Sequence, residues 1–167
     1  MTFLQNNIII NNMGIYAHRP RKGPHFAVGI KKMTRREARE ELLNLLFETE
    51  FRAGEEAEEI FATSEENREV AADEYIHRAY FGIMANKEEI DKIIGENAHG
   101  WRTDRLARVS RAVLRLAVYE LVYENDIPSS VTINEAIELI KKYDDEKARP
   151  FVNGVLNSVK NGLESGK

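Results

Sequence analysis

The chain reads as all-α, with about seven helices joined by short loops. Three observations carry that reading. No run of useful length alternates apolar and polar residues as a half-buried strand would. Apolar residues recur instead three and four positions apart in segment after segment, the period of one helix face. Helix punctuation stands between those segments: Thr34 with Glu37, Gly54, Asn125 to Pro128, and Pro150.

Residues 1–32 read as a basic, largely disordered extension, and 33–167 as the helical domain. Asparagines flank Ile8 to Ile10, and Pro20, Gly23, Pro24 and Gly29 break any helical period. The segment holds Arg19, Arg21, Lys22, Lys31 and Lys32 and no acid. Its +5 leaves −9 on the remainder of a chain whose total is −4. Either a basic arm that touches RNA or a dispensable tail fits this composition, and Met13 and Met33 are alternative starts.

Thr34 is expected to cap the first helix, with Glu37 completing a capping box. Ala38, Leu42, Leu43, Leu45, Leu46, Phe47 and Phe51 give it an apolar face, and Gly54 ends it. Arg35, Arg36 and Arg39 stand in its first turns, where the helix dipole disfavours cations. Phosphate contact explains that placement, and so does ion pairing with Glu40 and other nearby acids. A short acidic helix follows over 55–64, a longer one over 67–86 and another over 87–96. Trp101 to Leu106 reads as a turn with a helix start. From Arg108 to Asn125 apolar residues occupy more than half the circumference, which predicts the central helix. Glu120 lies on it, and a buried carboxylate there needs a partner.

The stretch 128–159 is read as turn, helix, charged loop, helix. Thr132 and Glu135 have capping-box spacing, Ile133, Ile137 and Ile140 mark one face, and Lys141 and Lys142 stand at the favourable C-terminal end. Pro150 can open the last helix, because the N–H it lacks would be unpaired there anyway. Phe151, Val155 and Val159 repeat every fourth residue.

With 43% hydrophobic and 31% charged residues in 167, the chain has the composition of a soluble globular protein. It has no cysteine, which excludes disulfides, thiolate metal sites and cysteine nucleophiles and fits a cytoplasmic protein. No apolar run approaches a membrane span, and no secretory signal opens the chain. Phosphate-loop, dinucleotide, zinc-protease and nucleophile-elbow motifs are absent, and His77 and His99 lack ligand partners, so neither a cofactor nor a metal is expected. The residues describe a helical binding module rather than an enzyme. Its acidic body needs a local basic patch, or a basic partner, to hold nucleic acid. Lys147 and Arg149 bracket Phe151 near Lys141 and Lys142, and an aromatic among cations suits single-stranded RNA. Phe151 as the first core residue of its helix is the other reading, and Asp144 with Asp145 reads as loop solvation or a lure for a basic partner.

The blocks RVSRAVLRLAVYEL (108–121), IPSSVTINEAIELIKKY (127–143) and FVNGVLNSV (151–159) resemble the signature of the bacterial NusB family of transcription antitermination factors. TRREARE with the aliphatic run to 47 is similar to that family's first helix, and 55–100 matches only in helical pattern. The resemblance implies two packed helical subdomains and a role without catalysis. It implies pairing with the small-subunit ribosomal protein that doubles as NusE. It also implies binding of boxA, a short single-stranded RNA element of ribosomal RNA leaders, in company with other Nus factors and RNA polymerase. On the matching positions it makes Arg35, Arg36, Arg39, Lys147, Arg149, Phe151 and Asn153 RNA-binding candidates. Arg108 and Glu120 become candidates for the protein-partner face. RNA-targeting domains fused to ribosomal RNA cytosine methyltransferases share the fold, but no cofactor-binding α/β domain is expected in this chain. The alternative function is a structural homodimer whose C-terminal helices pair.

Overall fold

A computed structural model describes residues 33–68, 73–98 and 106–166. Among them the chain forms seven helices and no strand: α1 (Arg35–Thr49), α2 (Ala57–Arg68), α3 (Glu74–Ala85), α4 (Lys87–Asn97), α5 (Arg108–Tyr123), α6 (Ser129–Tyr143) and α7 (Ala148–Ser165). The readings made of the 1–32 extension and of Trp101 to Arg105 lie outside the described residues. None of the described helices is long and apolar enough to cross a membrane.

Side-chain caps set the starts of α1 and α3, whereas α4 to α7 begin without one. The Thr34 side chain accepts from the Glu37 N–H (3.2 Å), and the Thr34 N–H donates to Glu37 Oε2 (2.7 Å), so the expected capping box forms. α1 stops at Thr49 rather than at Gly54; Gly54 instead takes φ +98° in the turn that follows, a conformation that favours glycine. The expected single helix over 67–86 is also divided. Asp73 accepts from the N–H groups of Tyr75 and Ile76 and starts α3 afresh, whereas α2 runs on to Arg68.

The supposed cap at Thr132 is a correction of a different kind. Pro128 precedes the first turn of α6, and its carbonyl accepts from the N–H groups of Val131 and Thr132. Thr132 and Glu135 therefore lie inside the helix, and both side chains serve other helices. α7 likewise begins at Ala148, and Pro150 falls within its first turn, where the N–H it lacks is still not needed.

The helices share one core. α1 packs on α2 and α3; α5, α6 and α7 pack on one another; α4 reaches α5 and α7; and α5 joins the two groups. Every residue of α5 from Ala112 to Glu120 is buried, as its apolar circumference predicted. The ring of Tyr119 stands where a Cβ on Gly82 would be, 2.5 Å away, so only glycine lets α3 approach α5 this closely.

At the centre stands Glu120, 1% exposed. Arg39 of α1 donates to it through Nε (2.8 Å) and Nη2 (3.2 Å). The Tyr75 hydroxyl of α3 donates at 2.5 Å and the Thr132 hydroxyl of α6 at 2.7 Å. Burial, and then the charge of Glu120, hold the Tyr75 phenol protonated far above its ordinary range, so it stays a donor. No buried side-chain nitrogen or oxygen among the described residues lacks a partner. Further from the centre, Arg115 of α5 bonds Asp91 of α4 (2.7 and 2.8 Å) and Glu50, and Arg78 of α3 bonds Glu124 (2.9 Å twice).

Truncating one partner of a buried ion pair strands the other. Glu120→Ala is expected to cost about 3–5 kcal/mol in urea unfolding. The double variant Arg39→Met/Glu120→Leu, which buries no charge, should lose clearly less.

Candidate nucleic-acid interface

The candidate residues fall around α6. Counting 100° per residue, Thr132, Ile133, Ala136 and Ile140 face the core. Glu135 and Lys142 lie to one side of that face and Ile137 to the other, and Asn134, Glu138 and Lys141 form the outer ridge between them. A depression of about 390 Å³ lies on the Ile137 side, where the start of α7 contributes Arg149, Pro150 and Asn153 and the loop contributes Glu146. A second, of about 330 Å³, lies on the Glu135 side, where α1 contributes Arg36 and Glu40, and α6 contributes Lys141 and Lys142. The two groups of candidates, far apart in sequence, thus flank one helix.

The structure separates the three arginines of α1. Arg36 points outward, its side chain 61% exposed, and donates to Glu135 through Nε (3.0 Å) and Nη2 (2.7 Å). That hydrogen bond, more than the charge, holds the Glu135 carboxyl below its usual range. Arg35 lies over the Tyr75 ring, 4.3 Å from its centroid. Arg39 is the correction: it is 4% exposed and committed to Glu120, so its guanidinium supports the core instead of meeting a phosphate. Its register shows why, because it stands three and seven residues before Leu42 and Leu46, on the same inward face.

The loop before α7 is built from its own acids. Asp144 accepts from the Ser110 hydroxyl (2.5 Å) and from the Asp145 N–H (2.8 Å), and Asp145 accepts from the Lys147 N–H (2.9 Å). These contacts make Asp144 and Asp145 turn-forming residues. Lys147 and Asn153 are exposed, and Arg149 lies 3.9 Å from Glu146. Phe151 is half-buried and packs against the core, which favours the core reading of that ring.

Two further cations belong to this surface. Lys142 donates to Glu40 (2.7 Å), which raises its pKa, and Lys141 pairs with Glu138. The sequence shows both lysines, but the link of Lys142 to α1 depends on a carboxylate 102 residues away and left no local signal.

The partner-face candidates also part. Glu120 is buried and committed to Arg39, Tyr75 and Thr132. Arg108 is exposed, its guanidinium 4.4 Å above the ring of Phe51. Phe51 was expected to extend the buried face of α1; it is instead 59% exposed, edge-on to Phe47 at 4.9 Å. The helix ends at Thr49 rather than at Gly54, which leaves Phe51 outside the buried stripe.

A protein-family model described as the NusB family matches residues 36–161. The transcription antitermination protein NusB of Bacillus pumilus is 43% identical over 132 residues, covering 79% of this chain and 98% of that one. A crystal structure of NusB from T. maritima superposes with a TM-score of 0.71 at 40% identity, over 78% of this chain and 93% of that one. A crystal structure of the antitermination factors NusB and NusE in complex with dsRNA superposes with a TM-score of 0.68 at 32% identity, over 77% and 96%.

The burial of these side chains separates stability from binding. Phe151→Ala is expected to lose on the order of 2 kcal/mol in urea unfolding, as a half-buried ring should. Arg149→Ala should stay within about 0.5 kcal/mol of the parent, which makes Arg149 the cleaner probe of ligand contact.

Proposed function

The chain belongs to the NusB family, and from that premise we propose that it is an RNA-binding transcription antitermination factor that works with the ribosomal protein NusE. The observation that carries this reading is the likeness, over most of the chain, to the NusB of a NusB–NusE–RNA complex. The RNA is boxA, in the leaders of ribosomal transcripts. The pair joins other Nus factors on the elongating polymerase in the cytoplasm and suppresses premature termination, acting by binding and without catalysis.

The geometry supports a division of labour. Arg35, Arg36, Lys147, Arg149 and Asn153 lie at the starts of α1 and α7, on the flanks of α6, and are the RNA-facing set. Phe151 supports that surface from below. Residues 33–167 form the RNA-binding domain, and the 1–32 segment is a basic extension that carries five cations and no acid. NusE occupies the other end of α1, where Phe51 and Arg108 present an exposed aromatic under a cation, the residue types that anchor protein interfaces. Within 33–167 the acids outnumber the cations, so a basic partner also supplies charge that this chain lacks.

Fluorescence anisotropy with labelled boxA RNA tests the reading. Affinity for boxA over a scrambled RNA should rise when the ribosomal protein is added, and should fall as salt increases. Phe51→Ser should weaken partner binding at least tenfold while shifting unfolding by no more than about 0.5 kcal/mol. A stable dimer in light scattering that ignores both the ribosomal protein and the RNA would favour the structural homodimer instead.

A further inference from the structure

Resting on the functional reading above, we infer that Glu135 is a positioning residue for RNA, holding Arg36 so that the free edge of its guanidinium receives a phosphodiester. A guanidinium carries five N–H groups. Glu135 takes the Nε edge, with one contact at Nε (3.0 Å) and one at Nη2 (2.7 Å). That side-on grip leaves the opposite edge, with both Nη1 hydrogens and one on Nη2, open to a second bidentate acceptor. Exposure agrees: the arginine side chain is 61% exposed and the carboxylate 18%. The carboxylate lies beneath the arginine, so a phosphate need not displace it.

Three further observations favour an anion at that edge. Arg36 stands in the first turn of α1, the positive end of the helix dipole, where a cation is unfavourable without anions around it. Glu135 supplies one, and a phosphodiester on the outer edge supplies another. Lys142 lines the same depression and donates to Glu40 at 2.7 Å, so this side of α6 carries two cations that are each held by a carboxylate. Finally, Glu135 is itself fixed. It follows by one turn Thr132, which is tied to the buried Glu120.

The test separates geometry from charge. Glu135→Asp keeps the charge but shortens the reach by one carbon, and Arg36→Lys keeps the charge but loses the fork. Each variant, with NusE present, is expected to bind boxA RNA about threefold to tenfold more weakly, the cost of ordering one long side chain on binding. The double variant should be no weaker than either single one, because both remove the same contact. The dependence on salt should stay parallel to the parent's, since no charge is lost. Urea unfolding should hardly move, which a merely structural role would not give. Unchanged or tighter binding by Glu135→Asp, or additive losses in the double variant, would overturn the inference and leave the functional reading intact. Equal binding of boxA and scrambled RNA by the parent would overturn the functional reading, while a loss in Glu135→Asp would still uphold the phosphodiester contact. No RNA binding by the parent would overturn both.

Discussion

The fold depends on where three helices satisfy one buried carboxylate carried by a fourth. A charge at the position of Glu120 is tolerable only if its oxygens are filled by donors of fixed geometry. Arg39, Tyr75 and Thr132 supply them from α1, α3 and α6. Apolar packing alone tolerates sliding of one helix on another. A set of four hydrogen bonds to two atoms does not, so Glu120 sets the register of three helices on α5. The surface inherits that register. Arg36 is three residues before Arg39 and Glu135 three after Thr132, each at the solvent edge beside a buried position, so the buried contact sets where the exposed pair meets. The outer ion pair is therefore a consequence of the inner one.

That surface is not a plain basic patch. Arg36 faces Glu135, Lys142 faces Glu40, Lys141 faces Glu138 and Arg149 lies near Glu146. Each exposed pair contributes little to stability, because water and salt screen it. Its larger effect is on recognition. Alternating signs give weak attraction for polyanions at a distance and fixed donor directions at close range. Such a surface discriminates by fit, and draws its long-range attraction from a basic partner.

Much of this was legible in the sequence. The apolar periods mark the helices, the circumference of 108–125 marks the central one, and the need of Glu120 for a partner follows from its place there. The misreadings have one physical source. Residues three apart can form a cap or share a turn inside a helix, so Thr132 and Glu135 look alike in either role. What decides is a carboxylate twelve residues earlier and an arginine ninety-nine residues earlier, and neither leaves a local trace. The division of α2 from α3 was hidden because apolar residues continue at helical spacing past the Asp73 cap. Arg39 was readable but outweighed: three arginines in seven residues suggest one function, although their helical register already turns one inward.

α1 carries the last step. Its fifteen residues span about 22 Å. Arg36 stands at one end, and Phe47, with Phe51 just beyond, at the other. Between them Arg39, Leu42, Leu43, Leu45 and Leu46 are buried, and a helix locked along its length by Glu120 and the core does not bend to carry a signal. On the proposed assignment, RNA and the ribosomal protein therefore approach opposite ends of a rigid rod. Cooperation between them then needs no change of shape in this chain. It arises when the partner, seated at Phe51 and Arg108, extends its own positive surface toward RNA already oriented at the α1 start. The second contact becomes intramolecular, and affinity rises through effective concentration and added charge. The fixed length of α1 makes that arrangement specific, because only a partner that spans its far end to the RNA gains from it.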